Sequence, residues 1–353
     1  MYVVSFVIFI MALFTDKLSS LAKSTSNGMV AVVRVEAVGV KRGVMQSHEE
    51  DAVMDVRNTV TEQHIHDWHK NGAVVFENFF SVEQIAPIDA DYRTLYGMQG
   101  AGDGKALNVK APGSVGATHR KQFLNVDILP YQASVAMNLI SLDPKLIALA
   151  KRLLGVDQVE LYQSHTWAKF TGEADYDQAF HCDFGNHTLT VPSDDASART
   201  VNFVIYISDV SDSVGALHYV TKQDAAAVLG EGEVIASVEQ QTELKKRQRS
   251  AAAPAGSLLA YSIDTFHRGT NLTEPNAHRY TMTVSFKAAG NSQIGFHVWQ
   301  FAPDRPWQLI LNHASPEQLQ CLGIPLPGHE FWTPRTLALT QARWPDWDMS
   351  AYR

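Results

Sequence analysis

The segment Phe180-His181-Cys182-Asp183-Phe184 sets a histidine and a carboxylate two residues apart. In an extended strand side chains alternate between faces, so His181 and Asp183 point one way and Cys182 the other. A second histidine, His267, lies 86 residues downstream, far enough for the chain to fold back across a sheet. Two imidazoles and one carboxylate are the donor set that holds Fe(II) on one face and leaves the remaining positions open for chemistry. Arg279 follows 12 residues after His267 and opens the alternating run Tyr280-Thr281-Met282-Thr283-Val284-Ser285-Phe286. A guanidinium there can grip a carboxylate through two parallel hydrogen bonds. The alternative for Arg279 is a surface strand residue paired with a nearby acid such as Glu274.

Spacing alone does not single out this pair. With 14 histidines and 37 acidic residues in 353 positions, roughly 1.5 His-x-Asp/Glu pairs arise by chance. The chain holds two, the other being His48-Glu49-Glu50. What separates them is their surroundings. Strand-like runs at 159–170 and 201–209 flank His181 and Asp183, and an apolar run, Gly256-Ser257-Leu258-Leu259-Ala260-Tyr261, precedes His267. His48 sits in a polar stretch with no strand around it.

From about Thr61 to about Gly290 the chain resembles the phytanoyl-CoA dioxygenase family of iron- and 2-oxoglutarate-dependent oxygenases. The resemblance is carried by NGAVVFENFF, LYQSHTWAKF, FHCDFGNH, VNFVIYISDVSDSVGALHYV and DTFHRGTNLTEPNAHRYTMTVSF. It implies a mainly β fold with flanking helices, a double-stranded β-helix (jelly-roll, cupin-like) barrel. It also implies that His181, Asp183 and His267 hold Fe(II), and that Arg279 binds the far carboxylate of 2-oxoglutarate. Gln163 and Lys169 match positions that line the cosubstrate pocket in similar hydroxylases, and Thr281 shares a strand face with Arg279. One departure is His218-Tyr219-Val220-Thr221-Lys222-Gln223, where the family usually shows a Pro-Gly-Ser-His-like turn. The implied reaction is hydroxylation of a small organic substrate by dioxygen, with 2-oxoglutarate converted to succinate and CO2. Retention of Asp183 favours hydroxylation over halogenation, because related halogenases carry a small residue there. Two rivals share the fold. One is a cupin-like metalloenzyme that does not use 2-oxoglutarate, against which Arg279 speaks. The other is a non-catalytic binding barrel, against which the intact triad speaks.

Composition agrees with a globular enzyme. Hydrophobic residues make up 45% and charged residues 19%. A net charge of −8 provides no positive field for nucleic acid. The expected partners are a small-molecule substrate and dioxygen. With only Cys182 and Cys321, there is neither a disulfide framework nor a zinc cluster, and Cys182 reads as a small buried hydrophobe. No membrane span is expected, since the apolar run 1–14 is shorter than the roughly 18–20 residues a spanning helix needs. That run also lacks the basic start of a signal peptide, and the expected location is cytoplasmic.

Three regions follow. Residues 1–58 read as a poorly ordered extension or a start-site artefact. Lys41-Arg42-Gly43 could encode a ribosome-binding sequence in frame, with translation starting at Met45. Residues 59–290 form the oxygenase domain, and 291–353 a helical extension packed on the barrel. Helices are expected to start at Thr61, Ser81, Asp143, Ser315 and Thr333, the first ending at Asn71-Gly72 and the third at Gly155. The Gly-rich stretch 99–119 reads as a loop and a candidate lid. His64, His66 and His69 read as surface histidines, and Lys245-Lys246-Arg247-Gln248-Arg249 as a solvated loop. His165 and Trp167 share the face of Gln163 and Lys169, a placement that suits either ligand contact or barrel filling.

Overall fold

The computed structural model describes residues 60–97, 125–172, 177–188, 195, 198–294 and 305–353. The extension 1–58, the candidate lid 99–119 and Trp299 lie outside them. The first helix, Glu62–Asn71, starts where the sequence predicts. The Thr61 side chain accepts from the His64 N–H, and His64 Nδ1 accepts in return from the Thr61 N–H. His64 therefore closes a capping box instead of standing idle on the surface. Helices Val82–Tyr96, Pro144–Leu154, Pro316–Gln320 and Pro334–Arg343 also begin at their expected caps.

Eight strands follow in chain order: β1 (Ala73–Phe76), β2 (Val159–Phe170), β3 (Thr200–Tyr206), β4 (His218–Tyr219), β5 (Arg249–Ser250), β6 (Leu258–Ser262), β7 (His267–Arg268) and β8 (His278–Ala288). They form a five-stranded sheet in the order β1-β6-β3-β8-β2 and a three-stranded sheet in the order β5-β4-β7. Every pairing between them is antiparallel. The mainly β architecture with flanking helices is present. Among the described residues the two ladders do not join into one closed barrel.

Alternation along β8 decides what faces the site. Tyr280, Met282, Val284 and Phe286 are fully buried in the core shared with the helices. Each such burial stabilises by about 1.5–3 kcal/mol, and a one-residue slip would turn all of them out of that core. Arg279, Thr281, Thr283 and Ser285 are thereby directed to the opposite face. β3 does the same, with Val201, Phe203 and Ile205 in that core and Asn202, Val204 and Tyr206 on the other side.

A bulge in β2 adds a step that the sequence does not announce. Leu161 pairs with Phe286 and Gln163 with Ser285, so Tyr162 is the extra residue. Leu161 belongs to the helix-side core, yet Gln163, His165 and Trp167 line the site. Without the bulge, Gln163 would share the face of Leu161.

The C-terminal segment closes the helix-side core. Trp307, Ile310, Leu311, Leu319, Trp347 and Tyr352 all belong to it. The Leu161 N–H donates to the Cys321 carbonyl at 2.7 Å, and Gln318 Nε2 to the Leu142 carbonyl at 2.7 Å. The basic cluster is not a loop. Lys245 and Lys246 end helix Val238–Lys246, Arg249 lies in β5, and Lys246 and Arg247 pair with Glu243 and Asp224. A positively charged helix end is favoured by the helix dipole, which explains the placement. No described helix is long and apolar enough to cross a membrane.

Gly72 couples the first helix to the site. It ends that helix in the left-handed region, at φ 82°, and a Cβ there would lie 2.4 Å from Thr265 Oγ1. Its carbonyl accepts from the Ser262 N–H and the Thr265 hydroxyl. Gly72→Ala should therefore lower stability by about 1–2 kcal/mol from backbone strain alone. The urea midpoint checks this, and an unchanged midpoint would contradict it.

Candidate metal centre

The two histidines meet as a single antiparallel bridge between β7 and the segment before Asp183. The His181 N–H donates to the His267 carbonyl at 3.0 Å, and the His267 N–H to the His181 carbonyl at 2.8 Å. Their ring centroids are 4.6 Å apart. Asp183 Oδ1 lies 3.8 Å from His267 Nε2. One donor atom from each of His181, Asp183 and His267 falls within 4.8 Å of the others, the only such group of three among the described residues.

The sequence reading set His181 and Asp183 side by side on a regular strand. The backbone instead turns after the bridge, and Asp183 adopts helical angles ahead of the short helix Phe184–His187. The two side chains still converge. Cys182 is buried in a second apolar cluster with Tyr162, Phe180 and Phe184.

In each of the three side chains, the atom turned away from the cluster is already engaged. His181 Nδ1 lies 3.0 Å from the Ala179 carbonyl, and His267 Nδ1 lies 3.0 Å from the Thr265 carbonyl. Nδ1 must carry the proton to make these bonds, which leaves both Nε2 lone pairs for a metal. Asp183 Oδ2 accepts from Asn202 Nδ2 and from the Tyr261 hydroxyl, each at 3.0 Å, leaving Oδ1 facing the histidines. Tyr162 donates to Asn202 Oδ1 at 2.9 Å and so fixes which end of the amide meets the carboxylate.

The protonation states suit a cation. Burial lowers His267 to about 4, so its imidazole is neutral at ordinary pH. Burial by itself would raise the Asp183 carboxyl. The imidazoles of His267, His187 and His181 and the Tyr261 hydroxyl outweigh that and hold it below its usual value. Two imidazoles and one carboxylate, each oriented by a second partner, fit a divalent first-row metal.

Tyr261→Phe removes one partner of Asp183 and keeps the ring. Losses of outer-shell partners typically reduce metal affinity by about 10–100-fold. A Co(II) titration of the variant should show a reduction in that range, and wild-type affinity would show that Asn202 alone sets the carboxylate.

The triad opens into a small cleft of about 100 Å³. Gln163, Arg279 and Thr281 line it together with the triad. Arg279 is buried, and its Nη1 donates to the Gly215 carbonyl. Glu274, the alternative partner, accepts from Ser213 instead. Lys169 is cross-strand neighbour to Arg279 but is not on the cleft surface. It is 2% exposed and donates to the Thr270 carbonyl at 3.1 Å, beside the cleft residue Gly269. Asn202, Tyr261 and Tyr162 escaped the sequence reading. A signal existed for Asn202, a polar side chain inside the apolar run Val201–Tyr206.

The family model described as phytanoyl-CoA dioxygenase matches residues 68–276. No curated protein matches the chain. Among solved structures, EctD from S. alaskensis with bound Fe is 18% identical, with a TM-score of 0.51, covering 71% of this chain and 83% of that one. EctD from S. alaskensis with 2-oxoglutarate and 5-hydroxyectoine is also 18% identical, with a TM-score of 0.50 and the same 71% and 83% coverage. At this identity the likeness concerns the fold.

Proposed function

Because the chain belongs to the phytanoyl-CoA dioxygenase family, we propose that it is an Fe(II)- and 2-oxoglutarate-dependent dioxygenase that hydroxylates a small organic substrate on a double-stranded β-helix scaffold. The observation that carries this is the convergence of three oriented metal donors and a buried arginine on one cleft. His181 Nε2, His267 Nε2 and Asp183 Oδ1 would hold the iron. The bound metal would supply activation of dioxygen, with one oxygen atom ending in succinate and the other in the hydroxylated product, and CO2 released.

The protein's own side chains do the rest. Arg279 binds the far carboxylate of 2-oxoglutarate, with Nη1 anchored on Gly215 so that its fork is preset. Thr281, two residues along the same face of β8, adds a hydroxyl to that grip. Lys169, behind Arg279, adds positive charge that favours a dianion. Asn202 and Tyr261 keep Asp183 from turning both oxygens to the metal, which preserves open positions. We assign residues 59–290 to the oxygenase domain and 291–353 to an extension packed on it. We place the protein in the cytoplasm, where reducing conditions keep iron ferrous and leave the two buried cysteines as thiols.

Succinate release tests the assignment. Protein supplied with Fe(II), 2-oxoglutarate and dioxygen should form succinate slowly alone and faster with the right member of a broad panel of small molecules. Turnover of a panel member with no 2-oxoglutarate consumed would instead favour a cupin-like metalloenzyme.

A further inference from the structure

We propose that a second cleft, separate from the metal centre, binds a small molecule with a doubly charged oxyanion head, such as a phosphate monoester. It holds about 800 Å³, against about 100 Å³ beside the triad, and so falls in the range of roughly 300–1,000 Å³ usual for ligand sites. None of the described residues lining it also lines the metal cleft. Its walls come from the end of helix Glu62–Asn71, the start of helix Lys222–Leu229, the entry to β3 and the turn 262–266. The iron and 2-oxoglutarate chemistry makes no use of it.

Positive charge gathers at one end. His69, Lys70, Arg199 and Lys222 line the cleft, brought together from three segments far apart in sequence. The Lys222 stem packs on the end of the first helix, since a Cβ on Gly72 would lie 2.9 Å from its Cγ. His69 is held below its usual value by burial first and then by the charges of Arg199 and Lys222, as expected where those cations stand close by. Like charges drawn together in this way repel, and a bound dianion relieves the repulsion. The helix dipole acts in the same sense. Lys222 and Gln223 are the first two residues of helix Lys222–Leu229, and both line the cleft at its positive end.

The acids that border the cleft leave this end cationic. Asp264 is taken up by Lys222, at 3.0 Å, and by the Ser262 hydroxyl, at 2.5 Å. Glu231 and Glu233 are exposed and follow Gly230, past the far end of helix Lys222–Leu229. At about 1.5 Å per residue the length of that helix sets them roughly 12 Å from Lys222. Phe184, Ala225, Ile263 and Phe266 supply an apolar wall. An anionic head on a compact apolar body fits this arrangement.

The test uses the full chain without metal, so that no ion in the triad can hold the probe. The probes are phenyl phosphate, benzoate and benzylammonium at about pH 8, where the phosphate carries close to two charges. Calorimetry reads affinity, and the His69 ring signals in proton spectra report the place. Phenyl phosphate should shift the His69 signals and bind about tenfold or more tightly than benzoate. Replacing Lys70 and Arg199 together by Gln should weaken it about tenfold or more, through loss of two charge-assisted bonds. Lys70 is exposed, so Lys70→Gln alone keeps the fold and should weaken binding about threefold. Arg279→Ala, which alters only the other cleft, should leave phenyl phosphate binding unchanged. No binding of phenyl phosphate, equal affinity for benzoate, preference for benzylammonium, or unchanged affinity in folded Lys70→Gln would each overturn the proposal. Loss of binding in Arg279→Ala would overturn it too, by placing the anion in the metal cleft.

Discussion

His267→Ala should abolish Fe(II) binding and succinate release while leaving the protein folded. The backbone bridge to His181 uses only the N–H and carbonyl of residue 267, so it survives the substitution. What would disappear is one of the three proposed metal bonds. That loss should exceed the roughly 100-fold ceiling seen when only outer-shell partners are removed. His181→Ala and Asp183→Ala should behave alike, since each supplies one donor atom to the same cluster. Equilibrium dialysis with Fe(II) under nitrogen, alongside circular dichroism, checks both halves of the expectation. Undiminished binding in folded His267→Ala would remove that residue from the metal site.

The second large effect falls on cosubstrate affinity. Arg279 is buried on the cleft wall, so its pairing with a carboxylate would be shielded from water. Truncating one side of a buried, hydrogen-bonded charge pair costs about 2–5 kcal/mol. At about 1.4 kcal/mol per tenfold, Arg279→Ala should raise the 2-oxoglutarate concentration needed for half-saturation by about thirty-fold or more. Lys at this position should recover only part of the loss, because an ammonium cannot form the two-pronged bond. Matching half-saturation points in wild type and Arg279→Ala would mean the anchor lies elsewhere, with Lys169 the next candidate.

The contrast between what the sequence announces and what it hides has physical causes. The grouping of His181, Asp183, His267 and Arg279 on one cleft is legible because a metal site or a carboxylate grip would accept few residue types. Register along β8 is legible from its strict alternation. The bulge at Tyr162 is not, because an extra residue in a strand leaves no mark on a period of two. The sequence nonetheless groups Gln163, His165, Trp167 and Lys169 on one face, since all four follow the bulge. Strands β4, β5 and β7 have two residues each, too short for any periodic signal, and only their partners define them. The helical turn at Asp183 is hidden for a related reason. A four-residue helix carries no amphipathic pattern.

Asn202 and Tyr261 illustrate a further limit. Both end on Asp183 Oδ2, yet they come from β3 and β6, 19 and 78 residues away in sequence. Nothing local marks them as partners of a carboxylate. Only the antiparallel register that pairs Asn202 with Tyr261 brings them together. Orientation of a metal ligand is thus a property of the sheet, while its identity is a property of the motif.

The most direct measurement is an anaerobic titration of Fe(II)-loaded protein with 2-oxoglutarate, followed by visible absorption. A keto acid chelated to Fe(II) through its C1 carboxylate and keto oxygen gives a charge-transfer band that neither component gives alone. The account predicts that the band appears in wild type with saturable dependence on 2-oxoglutarate, is absent in His267→Ala, and requires about thirty-fold or more 2-oxoglutarate in Arg279→Ala. A wild-type protein that binds Fe(II) but never develops the band would contradict it.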